Sequence, residues 1–213
     1  MRVWDLPVRL FHWSIVVLLA IAYISQVEFW LEVHYLAGYA ILALVLFRVV
    51  WGFVGSDTAR FGYFLRGPAE ALRHLARFPR REPDNEIGHN AAGAWMVLVL
   101  LALLGVETIT GLFTRDDDVA AGPLAHDLPG SATEIASTIH AIAWNLILAA
   151  VALHLLAILA YWAVRGQNLL RPMVTGKKRL PAAMRPPRMA SPLKALLILG
   201  LAAALVGVVV NVF

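Results

Sequence analysis

Histidine is the residue type in this chain best suited to chemistry, because a neutral imidazole binds transition metals readily. The chain has 213 residues, among them seven histidines and no cysteine. The lack of cysteine excludes thioether-linked haem, cysteine-bound iron–sulfur clusters, thiolate zinc sites and disulfides. Any metal chemistry must therefore depend on histidine, carboxylate or methionine side chains.

Four of the histidines form two pairs by depth. His140 and His154 are 14 residues apart, so on one helix they share a face and are separated by roughly 21 Å along its axis. His34 lies on the same side of the membrane as His140, and His12 on the same side as His154. Two pairs at matched depths are the arrangement that two stacked bis-histidine haems need.

The elements that must position these histidines are membrane-spanning helices. Hydrophobic residues make up 60% of the chain and charged residues only 15%, and a helix crosses a bilayer with around 20 apolar residues. Such stretches are found at 10–27, 33–54, 91–113, 135–164 and 193–212. We expect an all-α integral-membrane four-helix bundle with a fifth, C-terminal transmembrane helix. The fourth stretch is long enough to tilt or project from the membrane.

The distribution of basic residues predicts the orientation. With a cytoplasmic N-terminus, every Lys and Arg except Arg115 lies on the cytoplasmic side. The C-terminus is then periplasmic, and the chain is a multi-pass protein of the bacterial inner membrane that contacts anionic lipid and not nucleic acid. Asp5 and Pro7 in the leader argue that the first stretch is retained, not cleaved as a signal peptide. Residues 70–77 are expected to form an amphipathic surface helix, and residues 171–192 a proline-rich linker.

Three further residues near the four histidines have more than one interpretation. Arg9 could pair with a haem propionate or serve as a positive-inside anchor, and Gly38 could admit a flat macrocycle or pack against a helix. His89 has no partner left for ligation, so we expect it to contact a propionate or a quinone. His74 and His126 are interpreted as ordinary hydrogen-bonded or interfacial groups.

The carboxylates also have two interpretations. Glu107 lies well inside the third span and is a candidate proton acceptor, with a hydrogen bond to Thr108 or Asn145 as the alternative. Asp116, Asp117 and Asp118 could dock a basic periplasmic cytochrome c. A solvated acidic loop is the commoner explanation of such a run.

The sequence resembles a known family, the bacterial di-haem cytochromes b561, which include the b-type subunits of nickel–iron hydrogenases. The resemblance covers residues 1–180, expected to be one domain, with 181–213 as linker and additional helix. It preserves the order and spacing of VWDLPVRLFHW at 3–13, VHYLAGY at 33–39, FRVVWGF at 47–53, GHNAAG at 88–93, TGLF at 110–113, and NLLRPMVTG at 168–176, with His140 and His154 between the last two.

The resemblance implies two haem b groups, one held by His12 and His154 and the other by His34 and His140, with quinone as substrate. The expected function is electron transfer between the quinone pool and a periplasmic partner or acceptor. A haem-bearing anchor subunit of a larger oxidoreductase and a superoxide:quinone oxidoreductase remain alternatives. A haem-free transporter is a fourth possibility, but it predicts inverted repeats that are not found. The fifth helix could contact the bundle, a second copy in a homodimer, or a partner redox subunit.

Overall fold

Each of the five long apolar stretches forms a helix. The structure, a computed structural model, describes residues 1–79, 85–116, 120–181 and 183–212. Within these ranges five helices are long and apolar enough to cross a membrane. They are α1 (Leu6–Val27), α2 (Leu31–Val54), α5 (Ala91–Gly111), α6 (Gly130–Arg165) and α8 (Pro192–Val212). The predicted helical membrane fold is confirmed.

The remaining elements are short. Three small helices are α3 (Phe61–Phe64), α4 (Pro68–Ala76) and α7 (Leu170–Thr175), and a two-residue ribbon pairs β1 (Arg115–Asp116) with β2 (Ala120–Ala121). Two 3-10 turns cover Asp57–Ala59 and Ala125–Asp127. Helix α4 is the surface helix that was expected at 70–77, with its bounds shifted by one or two residues. Its exposed leucines suit contact with a membrane surface. The linker expected from residue 171 begins only after α7.

Local capping explains where the structure differs from the expected boundaries. Helix α1 begins at Leu6, four residues before the apolar stretch, because Asp5 Oδ1 accepts a 2.7 Å hydrogen bond from the Val8 amide. Helix α6 is 36 residues long and ends where Gly166 adopts a φ of 67°. Its length of about 54 Å exceeds the bilayer core, as the tilt or projection predicted for this span requires.

Helix α2 is the centre of the bundle. It packs against α1, α5 and α8, and α5 packs along α6. Within the described part of the chain, neither α1 nor α2 forms extended backbone packing with α6. The helices that carry the paired histidines are therefore separated by gaps: α1 from α6 for one pair, and α2 from α6 for the other.

One end of the bundle, which we call the N-terminal end, is formed by the starts of α1, α5 and α8 and by the ends of α2 and α6. Here the amides of Val3 and Trp4 donate to the Gly176 carbonyl at 2.8 and 3.2 Å. At the same end Asp57 joins α2 to the linker before α8, because its carboxylate accepts from the Arg188 amide at 2.8 Å. This hydrogen bond, with the nearby Arg60, lowers the pKa of Asp57.

Candidate functional site

The imidazoles of His12 and His154 face each other across the gap between α1 and α6. Their ring centres are 6.4 Å apart and the rings are tilted by 53°. Two imidazoles on one metal ion, each with a metal–nitrogen bond of about 2 Å, place their ring centres roughly 6 Å apart. The separation of this pair therefore fits one metal ion between the rings.

The second pair is held differently. His34 Nδ1 donates to the Ala22 carbonyl of α1 at 2.9 Å, and His140 Nδ1 donates to the Glu107 carbonyl of α5 at 2.9 Å. Because a carbonyl can only accept, each bond fixes the tautomer in which Nε2 carries the lone pair. His34 and His140 interact electrostatically, but their rings do not form a close contact like that of His12 and His154 in the described residues.

An apolar layer separates the two pairs. Ile147 lies seven residues from both His140 and His154 and is 1% exposed. Around it pack Ile15, Ala22, Ala37, Ile41, Val45 and Leu104, from α1, α2 and α5. The layer excludes water from the middle of the bundle, so each pair occupies its own compartment.

Two glycines leave room beside the second pair. A Cβ on Gly38, one turn after His34, would meet nothing within 4 Å, so no neighbouring helix packs there. A Cβ on Gly111 would lie 3.1 Å from His140 Cε1, so a larger residue would push against that ring. The open space at Gly38 argues against helix packing there, and its role beside a macrocycle stays a prediction. The contact of Gly111 with His140 was not predicted from the sequence.

Glu107 lies beside His140. Its Oε1 is 3.4 Å from His140 Nε2, and its Oε2 is buried with no hydrogen-bond partner among the described residues. Thr108 donates to the Leu104 carbonyl and Asn145 to the Ala141 carbonyl, so neither donates to this carboxylate. An Nε2 bound to iron could not also bind a carboxylate, so metal binding requires the Glu107 side chain to turn away.

His89 lies next to the first pair but does not face it as a third ligand. Its ring lies between Trp4 and Phe64, with ring centres 4.6 and 4.9 Å away. Burial lowers the pKa of His89 to about 3, and the nearby cation of Arg48 acts in the same direction. His89 is therefore a neutral imidazole, and its Nδ1 has no hydrogen-bond partner among the described residues.

Arg9, the basic residue expected at a propionate, is occupied elsewhere. Its guanidinium donates to the carbonyls of Met173 and Val174, at the end of α7. Trp13 Nε1 also donates to the Met173 carbonyl, at 3.4 Å. These bonds fix α1 to the segment that follows α6, and the propionate role of Arg9 stays a prediction.

A polar cavity of about 960 Å³ opens at the N-terminal end. On its wall Tyr161 is bound by two side chains: His74 Nε2 at 2.6 Å and Asn90 Nδ2 at 2.9 Å. Tyr161 lies seven residues after His154, hence on the same face of α6. His89 also lines this cavity. The position of Tyr161 was not predicted, although its spacing from His154 was visible in the sequence.

The other polar groups singled out from the sequence lie at the opposite end. His126 Nδ1 contacts the Arg115 guanidinium at 3.1 Å, which agrees with an ordinary surface role. Asp116 is exposed on β1. Asp117 and Asp118 lie outside the described residues, so the docking surface expected at 116–118 stays a prediction.

The donor set suits a haem better than a metal ion held by protein ligands alone. In the described ranges no cluster of three or more His, Cys, Asp or Glu side chains could hold such an ion. A haem needs only two axial side chains because its macrocycle supplies the other donors. The ring separation of the first pair, the fixed tautomers of the second and the open space at Gly38 all fit that requirement.

Comparison with known proteins identifies the family. A family model described as prokaryotic cytochrome b561 matches residues 3–176, which include all four paired histidines and exclude α8. Neither a search of curated proteins nor a search of solved structures gave a significant match. With five membrane-spanning helices and a match over most of its length, the chain belongs to the prokaryotic cytochrome b561 family, whose members are haem-carrying membrane cytochromes of electron transfer.

Proposed function

We propose that the chain binds two haem b groups and moves electrons across the bacterial inner membrane, between the quinone pool and an acceptor at the opposite end. His12 and His154 hold one haem, and His34 and His140 hold the other. The observation that carries the proposal is the 6.4 Å separation of the His12 and His154 ring centres, across two helices that lack extended backbone packing within the described residues.

The chain contributes position and insulation to this function. Bound haem would supply the one-electron oxidation and reduction, and the side chains of this protein would hold and orient it. The carbonyls of Ala22 and Glu107 orient the second pair of imidazoles. The layer around Ile147 keeps water from the space between the pairs, and the two ligand positions on α6 are roughly 21 Å apart along the helix. Electrons can thus cross the membrane in one internal step.

The cavity at the N-terminal end supports a quinone site there. Its volume of about 960 Å³ lies at the upper end of the usual range for small-molecule sites. Tyr161 shares a face of α6 with His154, and its hydrogen bond to His74 joins a hydroxyl and an imidazole that can pass on a proton from a quinol. Asn90 donates to the same hydroxyl and holds it in place. At the opposite end Glu107 stays the candidate acceptor. We favour the cavity because it combines space, proton carriers and proximity to a haem-ligand position.

The first test is a reduced-minus-oxidised spectrum of the purified protein with pyridine haemochrome quantification. We expect b-type bands and two haems per chain. His154→Ala and His140→Ala should each lose one haem, whereas His126→Ala, the matched surface control, should keep both. A well-folded protein without haem would overturn the proposal, and one haem per chain would show that one of the pairs is wrong.

The purified chain also separates the enzymatic alternatives. Reduction of its haems by a soluble quinol, followed by transfer to an added cytochrome c, would support a quinone-linked oxidoreductase. Reduction by superoxide with transfer to quinone would support the superoxide:quinone activity. Haems that no quinone oxidises or reduces would support an anchor subunit whose reaction takes place on a partner.

A further inference from the structure

Arg48 is a buried cation. It lies within α2, it is 2% exposed, and its Nη1 has no hydrogen-bond partner among the described residues. Within the same ranges its guanidinium forms no hydrogen bond or ion pair, and it lies over the ring of Phe61, 5.2 Å from the ring centre. A buried charge is strongly unfavourable unless an anion or several acceptors compensate it.

Asp5 compensates this charge only in part. It interacts electrostatically with Arg48, but it forms no hydrogen bond or ion pair with the guanidinium among the described residues, and each of its oxygens accepts a hydrogen bond from another group. Oδ1 accepts from the Val8 amide at 2.7 Å, and Oδ2 accepts from Trp51 Nε1 at 3.0 Å. Asp5 therefore caps α1 and fixes Trp51, and the guanidinium still needs an acceptor.

Arg48 lies at the depth of the first histidine pair. It is six residues before the end of α2 at Val54, and His12 is six residues after the start of α1 at Leu6. These two helices pack together and both of these ends lie at the N-terminal end of the bundle. His89 connects the two positions, since it interacts electrostatically with Arg48 and with both His12 and His154.

We propose that Arg48 binds a propionate of the haem held by His12 and His154, with His89 as a second donor to the same carboxylate. This inference rests on the proposed haem sites and adds an anion site at Arg48, distinct from the one predicted at Arg9. The guanidinium supplies charge and paired donors, and Nδ1 of His89 supplies a neutral one. Phe61 covers the guanidinium and can lie so close to α2 only because residue 52 is glycine: a Cβ there would meet the Phe61 ring at 2.1 Å.

A cation at this position has a measurable consequence. Positive charge near a haem favours its reduced form and so raises its reduction potential. In Arg48→Gln we expect the potential of one haem to fall, that of the other to stay unchanged, and the affinity for the first haem to fall about tenfold. Arg60→Gln is the control, because it removes a positive charge from an exposed guanidinium at the same end of the bundle.

The experiment is a redox titration of both haems in the purified full chain, with resonance Raman bands of the propionates as a second readout. Unchanged potentials and propionate bands in Arg48→Gln would overturn the proposal, as would a larger effect of Arg9→Gln. If Arg48→Gln does not assemble, Arg48→Lys is the variant that tests the proposal. A reduction potential near that of the wild type together with shifted propionate bands would support it. Unchanged propionate bands would overturn it. A wild-type chain that contains no haem would instead overturn the proposed function itself.

Discussion

At the scale of the residue, single hydrogen bonds decide which imidazole nitrogen is offered to a metal. His34 and His140 each donate Nδ1–H to a carbonyl of a neighbouring helix. A backbone acceptor cannot be removed by side-chain substitution, so these two tautomers are insensitive to most changes nearby. Nδ1 of His12 has no such partner among the described residues. The ring of His12 is instead positioned by its contacts with Trp13 and His154.

Gly38 provides a test of the second haem site that leaves the protein contacts intact. Among the described residues, no atom of another helix lies within 4 Å of a Cβ at this position, so Gly38→Leu should not disturb packing between helices. If a macrocycle lies against α2 here, the added side chain should exclude it, and the haem content should fall from two to one. Pyridine haemochrome quantification measures this content.

The matched control for this substitution is Gly200→Leu on α8, where a Cβ also meets nothing within 4 Å. It should retain both haems. Full haem content in Gly38→Leu would show that the open space at Gly38 faces lipid and not a cofactor.

At the scale of the element, composition predicts the spans because a bilayer core needs a fixed length of apolar helix. Composition does not predict which spans touch, since residues that face lipid and residues that face another helix are both apolar. The gap between α1 and α6 therefore could not be predicted from the sequence and is known only from the structure. Arg48 was missed for a related reason: its charge was counted toward the orientation, whereas its burial depends on Phe61 and α2 packing.

The proximity of His12 to His154 was predictable because it depends on depth and face alone, whereas the ligand role of both pairs stays a prediction. Four helices alternate in direction, so a histidine near one end of α1 must share a level with one near the same end of α6. The partners of Glu107 were not predictable in this way. The expected donors Thr108 and Asn145 bond to carbonyls of their own helices, an option open to any such side chain within a helix.

The attachment of α8 to the bundle should depend on pH through Asp57. The folded structure lowers the pKa of this carboxyl, so its contribution to stability is present above the unfolded pKa and is lost as pH falls through the folded pKa. Asp57→Ala should remove the contribution at neutral pH, because the Arg188 amide loses its acceptor. We expect faster tryptic cleavage after Arg188 in Asp57→Ala. In the wild type, hydrogen exchange of the linker, corrected for the intrinsic exchange rate at each pH, should show stronger protection at neutral than at acidic pH.

Glu70→Ala serves as the control for this prediction, because Glu70 is an exposed carboxylate on α4 at the same end. Its cleavage rate should equal that of the wild type. Equal rates in Asp57→Ala and wild type would mean that the contacts of α8 with α2, among them buried Ala202 and Val206, hold the linker without the aspartate.

At the scale of the whole molecule, the two ends of the bundle differ in charge and in chemistry. The N-terminal end combines the polar cavity, the first histidine pair and nearly all of the basic residues. The opposite end holds the second pair, Glu107 and the short acidic loop. An electron that enters at one end and leaves at the other therefore crosses the membrane in a direction that depends on how the protein is inserted.

The orientation of the protein in the membrane can be measured by labelling single introduced cysteines, because the chain contains no cysteine of its own that would react. Ser131, at the start of α6, and Ser191, just before α8, are both exposed and lie at opposite ends of the bundle. Since basic residues favour the cytoplasmic side, Ser131→Cys should react with a membrane-impermeant maleimide in intact spheroplasts, and Ser191→Cys only after lysis. The reverse pattern would place the cavity and the first histidine pair on the periplasmic side, and quinol protons would then be released there. Reaction of both residues in intact spheroplasts would contradict the five-span topology, because one span, α6, separates residue 131 from residue 191 and must place them in different compartments.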